Sequence, residues 1–87
     1  RINKPGKVSF TVDVFPNPVS DYLNISVQDN SENADYILYD LNGQIVSNGK
    51  IIGNNTMINM SKLPASTYML RIHGNNKTAD FKIIKNQ

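Results

Sequence analysis

An all-β, immunoglobulin-like antiparallel β-sandwich of about seven strands is what the 87-residue sequence predicts, and three observations carry that expectation. Short runs alternate apolar with polar residues, which is the period of a half-buried strand. Clusters of Gly, Asn, Asp, Ser and Pro separate those runs at roughly the 8–12-residue spacing of a sandwich. No window shows a 3.6-residue apolar period, so no helix is expected. The length allows one small domain, which buries about 60–65% of the surface of its unfolded chain. With 39% hydrophobic and 18% charged residues the composition is that of a globular chain.

Arg1–Lys7, with Pro5-Gly6 and no apolar period, reads as a linker arriving from something upstream, and residues 8–87 as the folded unit. Val8, Phe10, Val12 and Val14 alternate with Ser9, Thr11 and Asp13 and make the first strand. Phe15-Pro16-Asn17-Pro18 ends it. Both prolines fix φ and lack an N–H, and the residues before them are pushed to extended backbone, so no helix crosses this corner. Tyr22–Val27 is the second strand, with Leu23, Ile25 and Val27 on one face, followed by an exposed loop from Gln28 to Ala34.

Asp35–Tyr39 is the third strand. Asp40-Leu41-Asn42-Gly43 then reads as a three-residue hairpin with Asp at the first turn position and Gly at the left-handed one, or as a two-residue Asn42-Gly43 turn. Both need φ > 0 at Gly43. The chain returns through Gln44–Ser47, where either Ile45 or Val46 faces the core according to register. Asn48-Gly49 and Gly53-Asn54-Asn55 flank Lys50–Ile52, expected as a short edge piece or a wandering connection. Thr56–Met60, Thr67–Ile72 and Lys77–Lys85 supply the remaining strands, with a turn expected at His73–Asn76. The expected core is Val8, Phe10, Val12, Leu23, Ile25, Leu70, Ile72, Phe81 and Ile83. Tyr68, entering a strand after Leu63-Pro64, fits a tyrosine corner, its ring buried and its hydroxyl bonded to backbone a few residues upstream.

Little in the chain suggests catalysis. There is no cysteine, hence no disulfide, thiolate nucleophile or cysteine zinc site. The single histidine, His73, sits beside Gly74 and reads as a solvated turn residue. The carboxylates are scattered without a calcium-loop pattern, no phosphate-binding glycine loop occurs, and no cofactor is called for. The apolar runs fall far short of the roughly 20 residues that span a bilayer, so no membrane insertion is expected. Thirteen asparagines make several chance matches to the glycan acceptor pattern, and none is assigned. The net charge of +2 is sorted along the chain: residues 8–49 hold six acidic residues and no Lys or Arg, whereas residues 50–87 hold six basic residues against Asp80 alone. Either a basic face meets an anionic partner, or acidic and basic strands lie side by side and neutralise each other. Nucleic acid is not expected, because Tyr68 and Phe81 point inward rather than offering a stacking surface.

Three blocks in order resemble a known family: Val14-Phe15-Pro16-Asn17-Pro18 with Leu23-Asn24-Ile25, then Tyr39-Asp40-Leu41-Asn42-Gly43-Gln44-Ile45-Val46, then Leu63-Pro64-Ala65-Ser66-Thr67-Tyr68-Met69-Leu70-Arg71-Ile72. Together they are similar to the type A C-terminal sorting domain of type IX secretion cargo. Phe81-Lys82-Ile83-Ile84-Lys85 matches the family's lysine-bearing last strand. Ser66 stands where the family usually has glycine, and a left-handed φ there would cost serine about 1–2 kcal/mol. The resemblance implies a substrate and ligand rather than an enzyme: a domain joined to an upstream cargo, recognised in the periplasm by the outer-membrane translocon, and removed at the cell surface by a sortase-like cysteine peptidase that leaves the cargo anchored or released. It marks Phe15, Pro16, Asn17, Pro18, Leu41, Asn42, Gly43, Leu63, Tyr68, Lys82 and Lys85 as recognition or motif residues. Lys82 is expected to look outward from the last strand and Lys85 to lie just past its end. An immunoglobulin-like adhesion or carbohydrate-binding module is the alternative from a different class.

Overall fold

Seven strands form two antiparallel sheets in the computed structural model, which describes residues 12–27, 34–74 and 77–86. β1 (Val12–Phe15), β2 (Tyr22–Val27) and β5 (Asn55–Asn59) make the first sheet, in the order β1-β2-β5. β3 (Asp35–Tyr39), β4 (Ile45–Lys50), β6 (Ser66–Gly74) and β7 (Lys77–Lys85) make the second, in the order β4-β3-β6-β7. Val8 and Phe10, the Arg1–Lys7 linker, most of the expected Gln28–Ala34 loop and the Asn75-Asn76 turn lie outside the described residues.

Alternation dictates which side chains meet between the sheets. Leu23, Ile25 and Val27 face Leu38, Leu70, Ile72 and Ile83, all essentially sealed from solvent. Val12 and Phe81 are half-buried against that cluster. Burying one such aliphatic side chain contributes about 1.5–3 kcal/mol, so this double row is the main stabilising term. The connections add core residues that periodicity does not mark: Val19 in the proline corner, Ala34, Ile51 and Met60. Two backbone bonds extend the strand ladders to hold them. Ile51 N–H donates to Ala34 O (2.9 Å) and Met60 N–H to Asp21 O (2.7 Å).

Two glycine-based expectations are corrected. Asn48-Gly49 is not a turn, because β4 runs straight through it to Lys50. A Cβ on Gly49 would lie 3.0 Å from the Tyr36 ring, so the glycine leaves room for that ring. His73-Gly74 likewise belongs to β6, and a Cβ on Gly74 would meet the Ala34 Cβ at 2.8 Å. The register left open at Ile45 and Val46 is settled by an irregularity between Leu38 and Tyr39: Tyr39 pairs with Ile45 while Leu38 pairs with Ser47. Val46 is thereby turned toward the core and Ile45 left 54% exposed.

Strand pairing gives the sandwich two unlike poles. Phe15, Tyr22, Asn59, Tyr39, Ile45, Ser66 and Lys85 lie at one, as their pairings require. Val12, Val27, Asn55, Lys50, Gly74 and Lys77 lie at the other. The chain enters β1 at this second pole.

Candidate functional site

The proline corner leaves the first sheet after Phe15, reaches the outer edge of β7 in the second, and returns to β2. Its Phe15-Pro16 and Asn17-Pro18 peptide bonds are both cis. Asn17 spends its side-chain amide on the last strand: Nδ2 donates to Lys82 O (2.8 Å) and Oδ1 accepts from Ile84 N–H (3.0 Å). Val19 continues the pairing as a parallel bridge to Lys85, its N–H donating to Ile84 O and its O accepting from Asn86 N–H, both at 2.8 Å. One amide and one backbone residue thus act as a short strand and satisfy an edge that would otherwise offer its hydrogen bonds to another chain. Residues alternate along a strand, so Thr78 and Asp80 also point to this edge, and there no backbone partner covers them among the described residues.

The hairpin after β3 is the three-residue form. Gly43 N–H donates to Asp40 O (3.0 Å), Asp40 N–H to Gln44 O (2.9 Å), and Gly43 has φ +82°. Asp40 Oδ1 accepts from both Asn42 N–H (2.8 Å) and Gln44 N–H (3.0 Å), so the carboxylate holds the turn it opens. Beside it, Tyr68 is 3% exposed and its hydroxyl donates to Pro64 O at 2.7 Å, as a tyrosine corner requires. Burial, with the Asp40 charge second, holds the Tyr68 phenol above its ordinary value. An open groove of about 470 Å³ separates hairpin from corner, with Leu41, Val46, Leu63 and Pro64 among its lining residues. Leu41 is 73% exposed on its rim, whereas Leu63 is half-buried against the core.

Lys82 and Lys85, the two candidate lysines of β7, part company. Lys82 is exposed, as expected, and faces Met69 across the ladder. Lys85 corrects the expectation. It is the last residue of β7, continues the inward set of Phe81 and Ile83, is only 6% exposed, and donates from Nζ to Asn86 O (2.7 Å). The period-2 alternation itself was the signal, overridden in sequence reading by the charge.

All the motif blocks therefore meet at one pole: corner, hairpin, Leu63–Tyr68 segment and the end of β7. The profile of the secretion system C-terminal sorting domain matches residues 13–86. The chain belongs to that family. No curated protein matches it. As a sorting domain of type IX secretion, it marks a linked cargo for export to the cell surface or beyond, and the family is not known for enzymatic activity. In this sorting domain Ser66 takes the place of the usual glycine without strain, because it opens β6 and pairs with Lys85 as an ordinary strand residue. Pro16 and Pro18 are exposed, as are Phe15 (46%) and Asn42. The residues that sequence reasoning missed are Val19, a lone valine with no periodic partner, and the exposed pair Ile45 and Met69, which lie within two motif blocks but were not singled out as candidates.

Proposed function

We propose that the domain is read as a folded unit by the outer-membrane translocon, from its motif pole, after the cargo has crossed the inner membrane and folded in the periplasm. A sortase-like cysteine peptidase at the cell surface then separates it from the cargo, which is anchored or released. The observation that supports this reading most is the convergence of every motif block at the pole opposite the one where the chain enters β1. A cargo joined ahead of β1 leaves that pole unobstructed. Among the eleven candidate residues, Phe15, Pro16, Pro18, Leu41, Asn42 and Lys82 present surface there, whereas Asn17, Gly43, Leu63, Tyr68 and Lys85 hold the surface in shape.

The test is export of a reporter. Residues 1–87 are fused behind a periplasmically targeted fluorescent protein in a host that possesses the secretion system. Reporter at the surface or in the medium, shortened by the mass of the domain, is the expected result. Folded reporter held in the periplasm, with the domain intact and still attached, would overturn the proposal.

A further inference from the structure

The outer face of the second sheet gathers residues of the hairpin block, the Leu63–Ile72 block and the last strand into one row. The pairing sets Ile45, Tyr39, Met69 and Lys82 in one row across β4, β3, β6 and β7. Ile45 (54%) and Met69 (42%) are exposed, and Ile84 (42%) lies beside them on β7. The next rows hold the other ions of this face, and they neutralise one another: Lys50 Nζ lies 3.4 Å from Asp35 Oδ1, and Arg71 makes a two-bond fork to Asp80 at 2.8 and 3.2 Å. Among the described residues Lys82 is left as the uncompensated charge of the face, next to its apolar row.

We infer that this face is a docking surface for a protein segment that presents apolar side chains together with a carboxylate. The inference deepens the proposed recognition by the translocon and rests on it. Charge complementarity selects the occupant. A second copy packed face to face about a two-fold axis would set Lys82 against Ile45 or against its own symmetry mate, and neither supplies an anion. An anionic lipid surface gains only about 1 kcal/mol from a single lysine, too little to hold the domain. An acidic, apolar segment satisfies both halves of the row. The four strands it crosses span roughly 15 Å, the reach of an extended segment of about five residues.

Three variants decide the matter in the reporter fusion, each with its melting curve: Ile45→Ser with Met69→Ser, Lys82→Glu alone, and Tyr22→Ser with Met57→Ser on the outer face of the other sheet. With melts unchanged, the first two are expected to lower export about tenfold, the scale of one well-buried contact. The third exports as the unaltered domain does. If the Ile45 and Met69 pair disturbs the melt, Lys82→Glu against Lys82→Arg carries the test, with Arg exporting normally. Normal export of the Ile45, Met69 and Lys82 variants would overturn the inference while leaving translocon recognition standing; failure of the unaltered fusion to leave the periplasm would remove both. Equal losses from the two faces would also overturn it. So would sedimentation of the unaltered domain as a dimer that Ile45→Ser with Met69→Ser dissociates, or flotation with phosphatidylserine vesicles that Lys82→Glu abolishes.

Discussion

The two poles of this sandwich are built from the same turn-forming residue types, yet they differ in where side-chain polar groups go. At the motif pole, Asn17, Asp40, Asn59 and Tyr68 all bond backbone groups of the fold, and Lys85 caps Asn86 O. At the opposite pole the described closures are mainly backbone to backbone, Val27 N–H to Asn54 O and Ile51 N–H to Ala34 O, joined by Thr56 Oγ1, which exchanges bonds with Ile52 N–H and O. A motif that looks like a recognition sequence is therefore in large part a set of closures. Those closures turn inward and give the pole its shape, and the groups left over, Leu41, Lys82 and the apolar row, are what a partner meets.

The largest blow to that pole is Lys85→Glu. It swaps a buried donor for a buried carboxylate beside the Asn86 carbonyl and is expected to cost about 2–4 kcal/mol by urea denaturation, whereas Lys82→Glu stays within about 0.5 kcal/mol. Next comes Asn17→Ala, which strips two bonds from the edge of β7 and should cost about 1–2 kcal/mol. Tyr68→Phe follows at about 1 kcal/mol. The phenol's raised value adds a pH signature. The unfolded chain ionises its tyrosine near pH 10, the folded one later, so stability is complete below that pH and falls as pH climbs toward the folded value. Tyr68→Phe removes that part of the alkaline slope.

Glycine sharpens the comparison because its demand is the same at both poles. Gly43 (φ +82°) and Gly53 (φ +65°) each have open space for a Cβ, so alanine at either should cost about 1 kcal/mol through backbone strain alone. Unequal costs would mean that the hairpin held by Asp40 cannot relax. The smallest effect belongs to Asp80, whose carboxyl is held below its usual value by the hydrogen bond from Arg71. Its contribution is present above the unfolded carboxylate value and is lost as pH falls through the folded one. With both side chains nearly half exposed, solvent screens it, and Asp80→Asn should lower stability only slightly above the carboxylate range and leave the acid end of the profile unchanged.

Strong alternation made β2 and β3 legible to the residue, Tyr22–Val27 and Asp35–Tyr39, and β7 legible except at Lys85, its last residue. Local chemistry also sufficed for the Asp40 hairpin and the Tyr68 corner, whose partners lie within four residues. Gly49 and Gly74 misled because glycine serves close approach as readily as turns, and only the packed Tyr36 ring and Ala34 distinguish the two uses. The joining of Asn17 to Lys82 and Ile84, across 65 and 67 residues, has no local signal. Neither has the meeting of the blocks at one pole, since it exists only once the strands have paired.

The seal on the last strand is the core of this account, and amide hydrogen exchange of the folded domain probes it directly. Ile84, Asp80 and Asn86 all turn their N–H groups to the same edge of β7, but only Ile84 and Asn86 have partners in the corner, Asn17 Oδ1 and Val19 O. We predict protected amides at Ile84 and Asn86, fast exchange at Asp80, and selective loss of Ile84 protection in Asn17→Ala. Exchange at Ile84 as fast as at Asp80 in the unaltered domain would show the corner unlatched from the strand and contradict the claim that the motif is a closure.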